Sequence, residues 1–345
     1  MEIKGLAAAA ACHSRFLDGY SFLRRKVTEP QVAILIYHRV CPEEDDWFPP
    51  PLSPQTFEKE IEYFCRTYEF LPLEKLAQRV HQRKPLPEKA IVITLDDGNR
   101  DNYAYAYPIL KKYHVPATIF LATGYIGTGR PFWWSKVDHA IRNTPLTELE
   151  LKSLGTYSLR TAEDRRRAAF MIIDKLNEIT EGQKNSLIEK LVSALGVNIP
   201  ADLAKDRILS WSEVREMKDG GISFGAHSVT HPILTHVPLE QAKWEIIQSK
   251  KDIEEKVGQG VTAFAYPNGI FSAELLRIVR ESGFTCAVTV NPGKLITSKA
   301  DPYELNRIGA IEDFDKLKVL LSGLYFDLKA VLSTIDQKLQ HSKEG

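Results

Sequence analysis

Two adjacent carboxylates, Asp96 and Asp97, follow the wholly apolar run AIVITL (Ala90–Leu95) and precede Gly98. In parallel α/β folds, ligands and catalytic groups collect at the carboxyl ends of strands. A paired aspartate before glycine also describes a solvated turn, but the apolar run before it favours a held position. Two histidines, His227 and His231, stand four apart in HSVTH, directly after the apolar run 222–226. Pro232 turns His231 away from helical backbone, so the pair sits on a turn or a very short helix. Imidazoles at this spacing converge easily on one ion, although surface histidines produce the spacing by chance too. One aspartate and two histidines leave a coordination position open, as a catalytic metal site does and a closed structural site does not. Such an ion lowers the pKa of bound water to roughly 7 and polarises a carbonyl oxygen. The second aspartate then serves as the base. Neighbouring residues at an extended strand end point in different directions, and the residues alone do not say which aspartate takes which role.

Two further signals are weaker. Pro267 and Asn268, in YPNG after the run 263–266, form a turn whose backbone N–H can face a developing oxyanion, or a plain turn. His38, in YHR after the run VAILIY (Val32–Tyr37), suits a general acid, or a hydrogen-bonded core histidine.

These residues need a scaffold that brings strand ends together. Apolar runs at 32–37, 90–95, 117–121, 222–226, 263–266 and 287–290 predict strands covered on both faces. Helices are predicted between them. One opens at Ser53-Pro54, one spans 102–113 across Pro108, and one spans 211–218 behind a Ser210/Glu213 capping box. Others span 238–257, 273–282 and 314–339. This alternation predicts an α/β class with a parallel sheet or barrel. Residues 144–203 break the rhythm with a helical, strand-poor pattern, which reads as an insertion over about 140–205 within a domain spanning 30–320. Residues 1–29 read as an N-terminal helical segment, and 321–345 as a C-terminal helix and tail.

Composition narrows the function classes. The 345 residues hold 45 Lys+Arg and 45 Asp+Glu, so no field points to nucleic acid. Cys12, Cys41, Cys65 and Cys286 are scattered, with no CxxC pair, and read as reduced thiols. No apolar stretch reaches the ~18 residues of a membrane helix. The start, MEIKGLAAAAAC, is a poor signal peptide, which sets the expectation of a cytoplasmic or peripheral-membrane protein. Residues 16–26 mix aromatic and aliphatic side chains with Arg24, Arg25 and Lys26. Docking on the domain itself is the first reading of that segment, and a membrane surface the second.

TLDDG at 94–98, HSVTH at 227–231 and YPNG at 266–269, in this order, resemble the polysaccharide deacetylase (NodB-homology, carbohydrate esterase family 4) superfamily. The resemblance covers roughly residues 30–310. YHRV near the start and PFWW at 131–134 are similar to its exopolysaccharide and surface-glycan branch. It implies a distorted (β/α)7 barrel, here with a helical insertion. It also implies a metal-dependent hydrolase that removes N-acetyl groups from amino sugars of a polysaccharide or glycan precursor. The base is then Asp96, the metal ligands are Asp97, His227 and His231, and the oxyanion donor is the Asn268 N–H. The ion expected is zinc, with iron, nickel or cobalt as alternatives. The partner expected is an N-acetylated glycan or a lipid-linked sugar. Trp133 and Trp134 suit stacking on a sugar face, and equally packing of the insertion on the barrel. Two family features are missing. An arginine two residues before the proline is replaced by Ala265, and a late Leu-x-His acid has no match, since His341 in the tail is the one histidine after residue 270. His38 is the expected acid, in a permuted position, and Arg307 the expected partner of the base, against its reading as an ordinary salt-bridged arginine.

Three rivals stand beside this reading. A non-catalytic carbohydrate-binding relative would keep the fold without the reaction, though the intact Asp96, Asp97, His227 and His231 argue against it. A deformylase or O-acetyl esterase on a lipid-linked sugar would use the same groups. A 2-His-1-carboxylate oxygenase places its carboxylate close beside the first histidine, whereas Asp97 lies 130 positions before His227.

Overall fold

The structure is a computed structural model that describes residues 14–42, 48–290, 295–309 and 313–330. Its first half contains α1 (Ser14–Val27), β1 (Val32–Tyr37), α2 (Pro54–Thr67), β2 (Glu69–Phe70), α3 (Leu73–His81) and β3 (Ala90–Leu95). A turn of π-helix (Asn102–Ala106) then runs into α4 (Tyr107–Lys112), followed by β4 (Ala117–Leu121) and α5 (Trp133–Asn143). The insertion holds β5 (Glu148–Leu151), β6 (Gly155–Ser158), α6 (Ala162–Asn177) and α7 (Glu181–Leu195). Next come α8 (Trp211–Asp219), β7 (Ser223–Ala226), α9 (Leu239–Val257), β8 (Ala263–Ala265) and α10 (Ala273–Glu281). The described chain closes with β9 (Cys286–Val288), β10 (Ile308–Gly309) and α11 (Phe314–Ser322).

Seven strands run in the order β10-β1-β3-β4-β7-β8-β9, every neighbouring pair parallel. All six residues of β1 and of β3 are buried, as strands covered on both faces require. The chain entering β10 pairs back onto β9. Val288 bridges Leu305 in parallel, and Leu305 donates its N–H to the Ala287 carbonyl at 3.0 Å. The sheet therefore curls on itself as a barrel wall, and its strand ends converge at one mouth.

The capping signals act where the sequence placed them. Ser53 accepts from the Thr56 N–H ahead of α2, and Ser210 and Glu213 form a capping box on α8. Other expectations need correction. The span 102–113 is not one α-helix: Pro108 lacks an N–H, and the turn before α4 widens to a π-helix. The insertion is not strand-poor throughout, since β5 and β6 pair antiparallel and bury Leu149 and Tyr157 on one face. β9 begins and ends earlier than the run 287–290, and β2, α3 and β10 were not foreseen. The C-terminal helix breaks at Gly323, in left-handed backbone at φ 82, before helix resumes over 324–330. The remainder of the predicted helix, with Cys12, His341 and the ends of the terminal segments, lies outside the described residues.

The insertion is fastened to the barrel. Arg165 of α6 donates to the carbonyls of Ile141, Arg142 and Thr144 at 2.8, 3.0 and 2.9 Å, closing the C-terminal end of α5. At the other end, Leu17 of α1 packs on Val319, and Arg24 meets Asp327 at 2.6 Å. No described helix is long and apolar enough to cross a membrane.

Candidate active site

Asp97 follows β3, and the histidine turn follows β7, two strands further round the wall. Asp97 Oδ1 lies 3.6 Å from His227 Nε2 and 3.4 Å from His231 Nε2, and the two Nε2 atoms are 3.1 Å apart. Bonds of ~2.0–2.2 Å at a tetrahedral angle put ligand atoms roughly 3.3–3.6 Å apart, so one small divalent cation fits this triangle. His227 Nδ1 donates to the Ala265 carbonyl at 2.7 Å, which leaves Nε2 bare and aimed inward.

The electrostatics agree with a cation. Burial, foremost, pushes both imidazoles down, His231 well below its usual value, so both are neutral and ready to ligate. The neighbouring carboxyls are driven apart. Burial and then the Asp96 charge raise Asp97 to about 8. Burial also opposes ionisation of Asp96, but the Arg307 guanidinium and then His227 outweigh it and hold Asp96 at about 2. Asp97 thus lacks one positive charge opposite it, and Asp96 already has one.

Arg307 supplies that charge by a bidentate contact: Nη1 to Asp96 Oδ1 at 2.7 Å and Nη2 to Oδ2 at 2.6 Å. Its Nε donates to the Thr289 carbonyl at 2.9 Å, and Nη1 also reaches Thr94 Oγ1 at 3.2 Å. The side chain is 0% exposed, so it is no surface arginine. His38, half-buried at the end of β1, lies within the electrostatic reach of Asp96, Arg307 and His227, and burial, foremost, lowers it to about 4. Pro267 and Asn268 sit in a 3-10 turn directly beyond the Ala265 carbonyl that holds His227.

The tryptophans separate. Trp134 is buried, stacks on Phe132 at 4.4 Å and meets the His231 ring edge-on at 4.9 Å. Of the two readings open for it, sugar stacking or packing, its surroundings are those of packing, which holds a histidine in place. Trp133 is half-buried and keeps a face toward a groove.

Strain concentrates here. Of six non-glycine residues with left-handed backbone among the described residues, four belong to the motifs: Asp97 (φ 75), Ser228 (φ 62), His231 (φ 56) and Asn268 (φ 54). Something must hold these turns, and one such group was missed. Glu245, on the buried face of α9, accepts the Val229 N–H at 2.7 Å and the Thr230 N–H at 2.8 Å through Oε2, while Oε1 takes the Thr230 hydroxyl. Ser228 Oγ accepts the His231 N–H at 3.0 Å, closing the same turn. The available signal was an acid on an apolar helical stripe with Ala242, Ile246 and Ile253. Glu245→Ala strands the buried Val229 N–H and the part-buried Thr230 N–H, and it is expected to weaken metal binding by about 10–100-fold. Glu245→Gln keeps an acceptor and restores most of the loss. Metal titration of both variants checks this, and wild-type affinity in the alanine variant removes Glu245 as the clamp.

Comparison with known proteins places these motifs in a family. The family model described as polysaccharide deacetylase matches residues 83–287. The YxkH protein of Bacillus subtilis, named for a polysaccharide deacetylase, is 24% identical over 279 residues, covering 81% of this chain and 71% of that one. The poly-beta-1,6-N-acetyl-D-glucosamine N-deacetylase of Staphylococcus epidermidis is 35% identical over 78 residues, just 22% of this chain and 27% of that protein. Among solved structures, the Streptococcus pyogenes deacetylase PplD superposes with a TM-score of 0.58 at 21% identity, over 86% of this chain and 99% of that one. That last likeness is one of fold.

Proposed function

The chain belongs to the polysaccharide deacetylase family, and on that premise we propose that it hydrolyses N-acetyl groups of a glycan, using one divalent cation held by Asp97, His227 and His231. The observation that supports this most is the division between the two adjacent carboxyls. Asp97 faces two neutral imidazoles, whereas Asp96 is ionised and fastened by Arg307.

When bound, the cation supplies a Lewis acid for the acetyl carbonyl and a water of lowered pKa. The donor set suits zinc with one position open, and iron, nickel and cobalt accept it too. Asp96 takes a proton from the water as its oxygen attacks the acetyl carbon. Arg307 keeps both carboxylate oxygens aimed and charged. The Asn268 N–H donates to the oxyanion. The C–N bond then breaks, and the amine nitrogen needs a proton. The proton that Asp96 has taken is the one the amine needs, and His38, near Asp96 at the end of β1, is the group proposed to deliver it. The products are acetate and a free amino sugar.

The test is acetate release from N-acetylglucosamine oligomers, with metal content measured alongside. Removing the ion with a chelator abolishes release, and adding back zinc restores it. Full activity in metal-free protein refutes the metal role. Bound metal with no acetate release favours a carbohydrate-binding relative. In the same assay His38→Ala is expected to lose about 10²-fold or more in turnover with its metal retained, and unchanged turnover removes His38 as the acid.

A further inference from the structure

α1 has two faces, and the fold uses one of them. Leu17, Tyr20 and Arg24, spaced three and four apart, turn toward α11 and the chain after it. Leu17 packs on Val319, and Tyr20 and Arg24 both bond to Asp327, which fastens the helix to the barrel. Gly19, Phe22, Leu23, Lys26 and Val27 fall on the other side at the spacing of one helical stripe, and all five are exposed. Phe22 is 54%, Leu23 64% and Val27 84% exposed, so folding gains little from them. An apolar stripe that folding leaves in water marks an interaction surface.

Charge identifies what this stripe meets. Beside it a groove of about 440 Å³ runs between α1, the end of α2 and α11. Phe22, Tyr63, Arg25, Lys89 and Lys318 line it, and no carboxylate does. Lys318 is shared with Asp315 at 3.0 Å, but Arg25 and Lys89 have no carboxylate partner among the described residues. Lys26 stands over the Phe22 ring at 4.5 Å and adds a fourth cation at the edge of the stripe. A second copy of the chain, set against this face by two-fold symmetry, would bring these cations against themselves. A sheet of anionic headgroups over an apolar interior matches both halves. Its phosphates meet the cations, and its acyl boundary takes Phe22, Leu23 and Val27.

The place of this face in the barrel adds an orientation. α1 leads into β1 at Val32, and Lys89 stands directly before Ala90, the partner of Val32 in β3. Both mark the amino ends of parallel strands. His38, Asp96 and Asp97 follow the carboxyl ends of the same two strands, six residues on, which is roughly 20 Å at the rise of a strand. We infer that α1 and the adjoining cationic groove dock the protein on an anionic lipid surface, with the barrel mouth turned away from it. The helix lies on that surface, since no described helix is long and apolar enough to cross one. The mouth then opens toward chains in solution and not toward the headgroups beneath.

Sedimentation of the full chain with vesicles of phosphatidylcholine, with and without phosphatidylglycerol, tests the docking. The protein is expected to bind the anionic vesicles alone, and less as salt is raised. Phe22→Ser with Leu23→Ser removes the apolar half of the surface, and Arg25→Glu with Lys89→Glu reverses the cationic half. Each pair is expected to weaken binding by about ten-fold or more, and melting temperatures report whether it is folded. Acetate release from soluble oligomers is expected to match the wild type in both pairs and to stay unchanged when anionic vesicles are added. Equal binding to neutral and anionic vesicles, no binding to either, or wild-type binding by either folded pair overturns the inference. So does a dimer in analytical ultracentrifugation that Phe22→Ser with Leu23→Ser dissolves while vesicles sediment without the protein. Inhibition by the vesicles overturns the orientation. Because vesicle binding is read without turnover, a wild type that releases no acetate strikes the deacetylase reading and leaves the docking result standing.

Discussion

Asp96→Asn is expected to keep its metal and lose at least about 10²-fold in turnover, the usual worth of a positioned general base. The carboxylate is buried, ionised and held at two oxygens by one guanidinium. Asparagine matches its shape but accepts no proton, so the attacking water keeps both of its protons. The ligand set Asp97, His227 and His231 is untouched, and elemental analysis should find metal content unchanged. The variant also leaves Arg307 charged against a neutral partner, so its melting temperature falls. A folded, metal-loaded variant with wild-type kcat would show that Asp96 is not the base.

Arg307→Met has the second large effect, and it acts through Asp96. Breaking a buried ion pair from one side costs about 3–5 kcal/mol, because the remaining charge has no partner. Burial, the largest influence on Asp96, then goes unopposed by the guanidinium and drives its pKa up. In the wild type, a carboxyl held below its unfolded value stabilises the fold fully above about pH 4 and loses that contribution as the pH falls toward 2. In the variant that contribution is absent at neutral pH. The acid limb of the kcat profile is expected to move from the most acidic range toward neutrality, while Arg307→Lys, charged but unable to make the bidentate contact, falls between. A merely structural arginine would change the melting temperature without moving the profile. An unmoved profile in Arg307→Met therefore removes Arg307 from the positioning of the base.

Much of the scaffold was legible because its causes are local. β1 and β3 are runs apolar at every position, and parallel strands buried on both faces need that. The caps at Ser53 and Ser210 act through residues three positions on. The site motifs were legible for the same reason, each being a short segment at a strand end. What failed had non-local causes. β2 and β10 are two residues long and exist only because β3 and β1 offer them edges. The β5–β6 pairing alternates polar and apolar residues over four positions, too few to stand out inside a helical segment.

Within the site, the limit was distance along the chain. Arg307 meets Asp96 across 211 positions, and the choice of that arginine came from a family gap at Ala265, not from its own surroundings. Glu245 shares the apolar stripe of α9, but nothing in the helix itself says that this stripe packs behind the histidine turn, 15 and 16 positions earlier. Trp133 and Trp134 are adjacent and of one type, yet one lines a groove and the other packs a ligand, which only the direction of α5 decides.

The seam of the barrel and the base are one construction. The aspartate pair and both histidines lie before residue 232, but the guanidinium that keeps Asp96 ionised stands on the segment that joins β9 to β1. Any change that loosens β10 from β1 therefore also takes the charge away from Asp96, while the metal-ligand triangle, built on β3 and β7, has no direct bond to that seam among the described residues. The integrity of the wall and the ionisation of the base are thus read by the same arginine.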